Sequence, residues 1–74
     1  MRIKVKLFAS LREKHNKEMD LELHDAATPG EILDHLRIPH GEAAIIMING
    51  RHSKLDTRLS DCDTVAFFPA VGGG

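Results

Sequence analysis

Val65-Ala66-Phe67-Phe68-Pro69-Ala70-Val71-Gly72-Gly73-Gly74 closes the sequence. It reads as an apolar strand that runs straight into a glycine run. Three successive glycines pack no side chain and lose the most backbone entropy on ordering, so residues 70–74 are expected to project as a flexible tail from a domain spanning 1–69. A frayed end need not be joined to a core strand. The juxtaposition therefore directs attention to the terminus itself, and the reactive group expected is the backbone carboxylate of Gly74.

Working outward from that strand, Ser60-Asp61-Cys62-Asp63 is the turn that leads into it. Leu55 and Leu59 are spaced to bury in the segment before. Further back, Ala43 to Ile48 is a nearly continuous apolar run, Asn49-Gly50 supplies a tight turn with positive φ, and Arg51 to Lys54 is a short polar return strand, so a hairpin is expected. Thr28-Pro29-Gly30-Glu31 marks a helix start: Thr28 caps free amides, Pro29 suits the first helical position and Glu31 completes a capping box. The helix runs to about Arg37, with Ile32, Leu33 and Leu36 on one face and Pro39 as its stop.

At the amino end, Ile3, Val5 and Leu7 alternate with Arg2, Lys4 and Lys6, the period of a strand with one buried face. A short helix follows, opened by Ala9 or Ser10, with Leu11 turned inward and the segment running to Lys14. Met19, Leu21 and Leu23 then alternate with Glu18, Asp20, Glu22 and His24, a second strand whose acidic face opposes the basic face of the first. The order predicts an α+β architecture, a mixed sheet of four to five strands on one main helix. The first and last strands are expected to be central neighbours, with the tail at the sheet's end, clear of the helix.

Seventy-four residues allow a single modest core, and 42% apolar content argues against disorder. A net charge of -1 offers no overall field for nucleic acid or an anionic membrane, and there is no long apolar run. One cysteine, Cys62, and no signal-peptide pattern make a cytoplasmic location the expectation. His15, His24, His35, His40 and His52 show no recognised ligand spacing, so no metal site is expected. Cys62, flanked by two aspartates, reads as a turn residue.

Over essentially its whole length the chain resembles the ubiquitin-like β-grasp sulfur carriers. The likeness rests on the order of elements, Asn49-Gly50, Leu59-Ser60-Asp61-Cys62-Asp63 and the terminal Gly73-Gly74. Phe8-Ala9-Ser10-Leu11-Arg12-Glu13 and Val65-Ala66-Phe67-Phe68-Pro69 are most similar to the small subunit of molybdopterin synthase. Ala70-Val71-Gly72-Gly73-Gly74 is also similar to the thiamine-pathway sulfur carrier. Cys62 stands where the family usually has glycine, and Ala70 and Gly72 where the synthase subunit usually has proline and alanine.

The resemblance implies a cosubstrate or non-catalytic subunit with no bound cofactor. A ubiquitin-activating-like adenylyltransferase, using ATP and Mg, would adenylate Gly74. A persulfide donor would then displace AMP, leaving a thiocarboxylate. The sulfur acceptor would be the large subunit of molybdopterin synthase, with delivery to thiamine thiazole, another acceptor, or conjugation of Gly74 to lysines as alternatives; a further alternative is a non-covalent interaction module. Gly72 and Gly73 would give the carboxylate access to a narrow channel, while Phe68, Pro69 and Val71 would contact the partner. Phe68 has two readings at this stage: an outer-face anchor, or a second core residue in a strand buried on both sides.

Overall fold

The computed structural model describes residues 1–12 and 15–70. Five strands, β1 (Arg2–Leu7), β2 (Glu18–Glu22), β3 (Ile45–Ile48), β4 (Arg51–His52) and β5 (Thr64–Phe68), form one sheet in the order β2-β1-β5-β3-β4. β5 runs parallel to β1 and antiparallel to β3, so the sheet is mixed and β5 is its middle strand. One α-helix, α1 (Pro29–Leu36), accompanies it. The expected α+β class and the pairing of first and last strands are both found.

Alternation decides which face is core. Ile3, Val5 and Leu7 of β1 and Val65 and Phe67 of β5 are fully buried, and they meet Ile32 and Leu33 of α1, which are equally inaccessible. Ile46 joins from β3, and Leu11, Ile38 and Leu59 close the rim. Leu11 enters from a 3₁₀ turn, Ala9–Arg12. Glu13 and Lys14, expected to continue that segment, lie outside the described residues. Side chains of this size contribute about 1.5–3 kcal/mol each when removed from water, and they converge here from four elements.

α1 begins as expected and ends differently. Thr28 Oγ1 accepts from the Glu31 amide at 3.4 Å, but Glu31 does not complete the capping box: its carboxylate meets His24 Nε2. The helix stops because Arg37 adopts a left-handed conformation, φ 60°, and its N–H returns to the carbonyls of Leu33 and Asp34. Pro39 instead leads into a 3₁₀ turn, His40–Glu42, that pattern reading does not reveal, so β3 starts later than Ala43.

The Asn49-Gly50 turn has positive φ at both residues, 51° and 82°, the two-residue geometry that matches strand twist. Its return strand is two residues long rather than four. Leu55 is 36% exposed, against expectation, while Leu59 is buried. The reason lies in the backbone. Gly30 N donates to Leu55 O at 2.9 Å, so this segment meets the start of α1 through its main chain. A Cβ at Gly30 would stand 3.2 Å from that same oxygen, which explains a glycine inside the first helical turn.

Residues 60–63 fasten the far end of the sheet. Arg2 N donates to Asp61 Oδ1 and Cys62 N to Arg2 O, both at 2.8 Å. Asp63 accepts from the Asn49 amide, which in turn accepts from Thr64 N at 2.9 Å. Cys62 is exposed and takes positive φ, 69°, at the turn position.

Candidate functional site

β5 delivers its side chains to two environments. With Val65 and Phe67 in the core, Thr64, Ala66 and Phe68 emerge on the opposite face, all three half-buried. Register then assembles that face: Ala66 lies between Lys6 of β1 and Met47 of β3, and Phe68 lies beside Ile45. The choice left open for Phe68 is thereby decided in favour of the outer face.

Phe68 is held there by a partner that sequence reading did not single out. Its ring stacks on Phe8, with centroids 4.4 Å apart and planes 12° from parallel. Arg12 lies over the Phe8 ring, its guanidinium carbon 5.2 Å from the ring centroid. That guanidinium is itself anchored, Nε donating to Leu7 O at 2.8 Å. A cation over an aromatic face and a stacked ring pair each add about 0.5–1.5 kcal/mol of local order. The signal for Phe8 was present in the sequence: it follows Leu7 in a strand whose odd residues point inward.

Phe8, Phe68, Ile45, Met47 and Ala66 thus form an apolar patch, and none of them carries a group able to take or give a proton. Pro69 follows immediately, half-buried, and ends the ladder because it has no N–H to donate. Pro69 and Ala70 line a groove of about 730 Å³ together with Arg37, Ile38 and Glu42. Across that groove the residues that follow β5 face the segment just after α1. Val71, Gly72, Gly73 and Gly74, the remaining residues expected to form the tail site, lie outside the described residues.

The resolved electrostatic perturbations sit at the other end of β1. The Asp61 carboxyl is held below its ordinary value of 3.8, chiefly by the hydrogen bond from the Arg2 amide. The Arg2 guanidinium is raised by its hydrogen bond and charge interaction with Glu22, at 3.1 Å. Lys4 pairs with Glu18 at 3.3 Å, so the basic and acidic faces of β1 and β2 do meet across the sheet. Among the described residues no three His, Cys, Asp or Glu side chains gather as metal ligands. Nor is any helix there long and apolar enough to cross a membrane.

With this geometry in view, comparison with known families is decisive. The ThiS family model matches residues 5–74, nearly the whole sequence and the glycine run with it. The chain belongs to the ThiS family. Among solved structures this ThiS-family chain is similar to SAMP1, the small archaeal modifier protein 1 of Haloferax volcanii, at 27% identity over all of both chains with a TM-score of 0.76. It is also similar to a putative molybdopterin converting factor subunit 1 from Pyrococcus furiosus, at 28% identity over 96% of this chain and 99% of that one, TM-score 0.75. Caldiarchaeum subterraneum ubiquitin, at 19% identity, covers 100% of this chain and 98% of its own with a TM-score of 0.63. That likeness shows the fold, a ubiquitin-like β-grasp. No curated protein matches the chain.

Proposed function

We propose that this ThiS-family protein is a sulfur carrier of the cytoplasm whose Gly74 carboxylate is converted to a thiocarboxylate and supplies sulfur for molybdopterin synthesis. The observation that carries the reading is the stacked Phe8–Phe68 pair at the root of the glycine run, on a sheet face that α1 leaves open. A partner gripping that pair has the terminus within reach, since the six residues from Pro69 to Gly74 extend at most about 22 Å.

The chemistry follows from the poor electrophilicity of a carboxylate. A ubiquitin-activating-like adenylyltransferase joins the Gly74 carboxyl to AMP from ATP and Mg, releasing pyrophosphate. The terminal sulfur of a donor persulfide attacks the carbonyl and AMP departs. A thiol then cleaves the sulfur–sulfur bond, leaving the thiocarboxylate on Gly74. Glycine at 72, 73 and 74 offers no Cβ to hinder the attack or passage along a narrow channel. The acceptor is a molybdopterin synthase large subunit, a reading supported by the 28% likeness to a putative molybdopterin converting factor subunit.

A second reading, conjugation of Gly74 to lysines of other proteins, is favoured by the full-length likeness to a small archaeal modifier protein. Intact mass of the protein from its native host separates the two. The carrier reading expects one oxygen replaced by sulfur, and a persistent plain carboxylate in sulfur-replete cells overturns it. Conjugation expects lysines that carry residues 59–74 after tryptic cleavage, because Arg58 is the last basic residue. Removing Gly73 and Gly74 is expected to abolish either activity.

A further inference from the structure

The sheet has two edges, and they are built differently. β4 is a two-residue strand and offers little ladder. β2 has five residues, and its outer side meets no strand among the described residues. Pairing parity shows what that side presents. Leu23 N donates to Met1 O and Leu7 N to Lys17 O. In the antiparallel register of β1 and β2, odd-numbered residues of β2 therefore bond to β1. The N–H and C=O of Glu18, Asp20 and Glu22 consequently point away from the sheet.

Side chains add a pattern to this row of backbone groups. Met19, Leu21 and Leu23 lie half-buried along the core side of the edge. On the opposite face Glu22 pairs with Arg2 and Glu18 with Lys4, whereas Asp20 is exposed and has no ion-pair partner among the described residues. We propose that the free edge of β2 is a strand-addition site for an extended segment of a partner protein with an apolar–basic–apolar pattern, its basic residue opposite Asp20 and its apolar residues beside Met19 and Leu21.

β1 is the internal template for that occupant. Ile3-Lys4-Val5 already lies against Leu21-Asp20-Met19 in this arrangement. An added strand repeats it on the other side, its apolar side chains covering hydrocarbon that β1 leaves half-exposed and its cation meeting the carboxylate that β1 leaves unpaired. A second copy of β2 does not fit. The residues with outward backbone groups are all acidic, so every antiparallel β2–β2 register that forms hydrogen bonds among them sets acid against acid. The charges that forbid self-pairing select a basic guest.

The test uses the full-length protein labelled with ¹⁵N and two blocked pentapeptides, Thr-Ile-Lys-Val-Thr and Thr-Ile-Glu-Val-Thr, each added to about 1 mM. The lysine peptide is expected to shift the amide signals of Glu18, Asp20 and Glu22 more than those of Met19 and Leu21, because only the former have outward N–H groups. The glutamate peptide should bind at least about tenfold more weakly, and Asp20→Lys should reverse the preference. Equal binding of the two peptides, shifts centred on Phe68, a preference unchanged in Asp20→Lys, or no shift at all each overturns the proposal. The tail has no part in it, so removing Gly73 and Gly74 should leave the peptide shifts unaltered.

Discussion

Phe67 and Phe68 are neighbours in sequence and have opposite fates. Phe67 is fully buried between β1, β3 and α1. Phe68 is half-buried and touches Phe8 on the open face. The same side chain thus holds the domain together at one position and is available to a partner at the next. A strand with one covered face turns a one-residue difference into a difference of environment. The sulfur-carrier reading depends on that split, since a docking ring must be ordered without being consumed by the core.

Three experiments test the contrast. The largest effect is expected for Phe67→Ala, which leaves a cavity at the centre of the sheet and should cost about 3–5 kcal/mol in urea unfolding. A loss no greater than that of the neighbouring variant would break the distinction. Phe68→Ala forfeits a stacked pair and should cost only about 1 kcal/mol, while lowering the kcat/KM of the activating enzyme about tenfold or more, read as ATP–pyrophosphate exchange. Unchanged exchange would show that Phe68 is not a docking residue.

The smallest effect is expected at the opposite end of β1. Because the folded-state pKa of Asp61 is depressed, its contribution to stability is present above its ordinary value of 3.8 and is lost as pH falls through the lower folded value. Asp61→Asn should therefore remove part of the acid sensitivity of unfolding below pH 3.8, with exchange activity at neutral pH intact. If Asp61→Asn weakened exchange as much as Phe68→Ala, the two ends of β1 would not be functionally distinct.

Much of this was legible in the sequence, for reasons that differ by residue. Thr28-Pro29 and Asn49-Gly50 act through their own backbone and nearest neighbours, so they predict a helix start and a turn wherever they occur. Other features needed partners. Glu31 has the right spacing for a capping box, but His24, brought close by the end of β2, takes its carboxylate. Leu55 is as apolar as Leu59, yet its carbonyl is what the fold uses and its side chain stays outside. The 3₁₀ turn at His40–Glu42 has no periodicity to announce it.

By itself, then, the sequence determined the five strands, the main helix and their order, because strand alternation, capping and turn chemistry are properties of local covalent structure. Only the tertiary structure decided that Phe8 meets Phe68, that this pair lies on the open face, and that Pro69 and Ala70 share a groove with Arg37 and Ile38. Those are facts of register and crossover. A parallel pairing of residues about sixty apart is chosen by the packing of the whole core, and no neighbouring pair of residues encodes it.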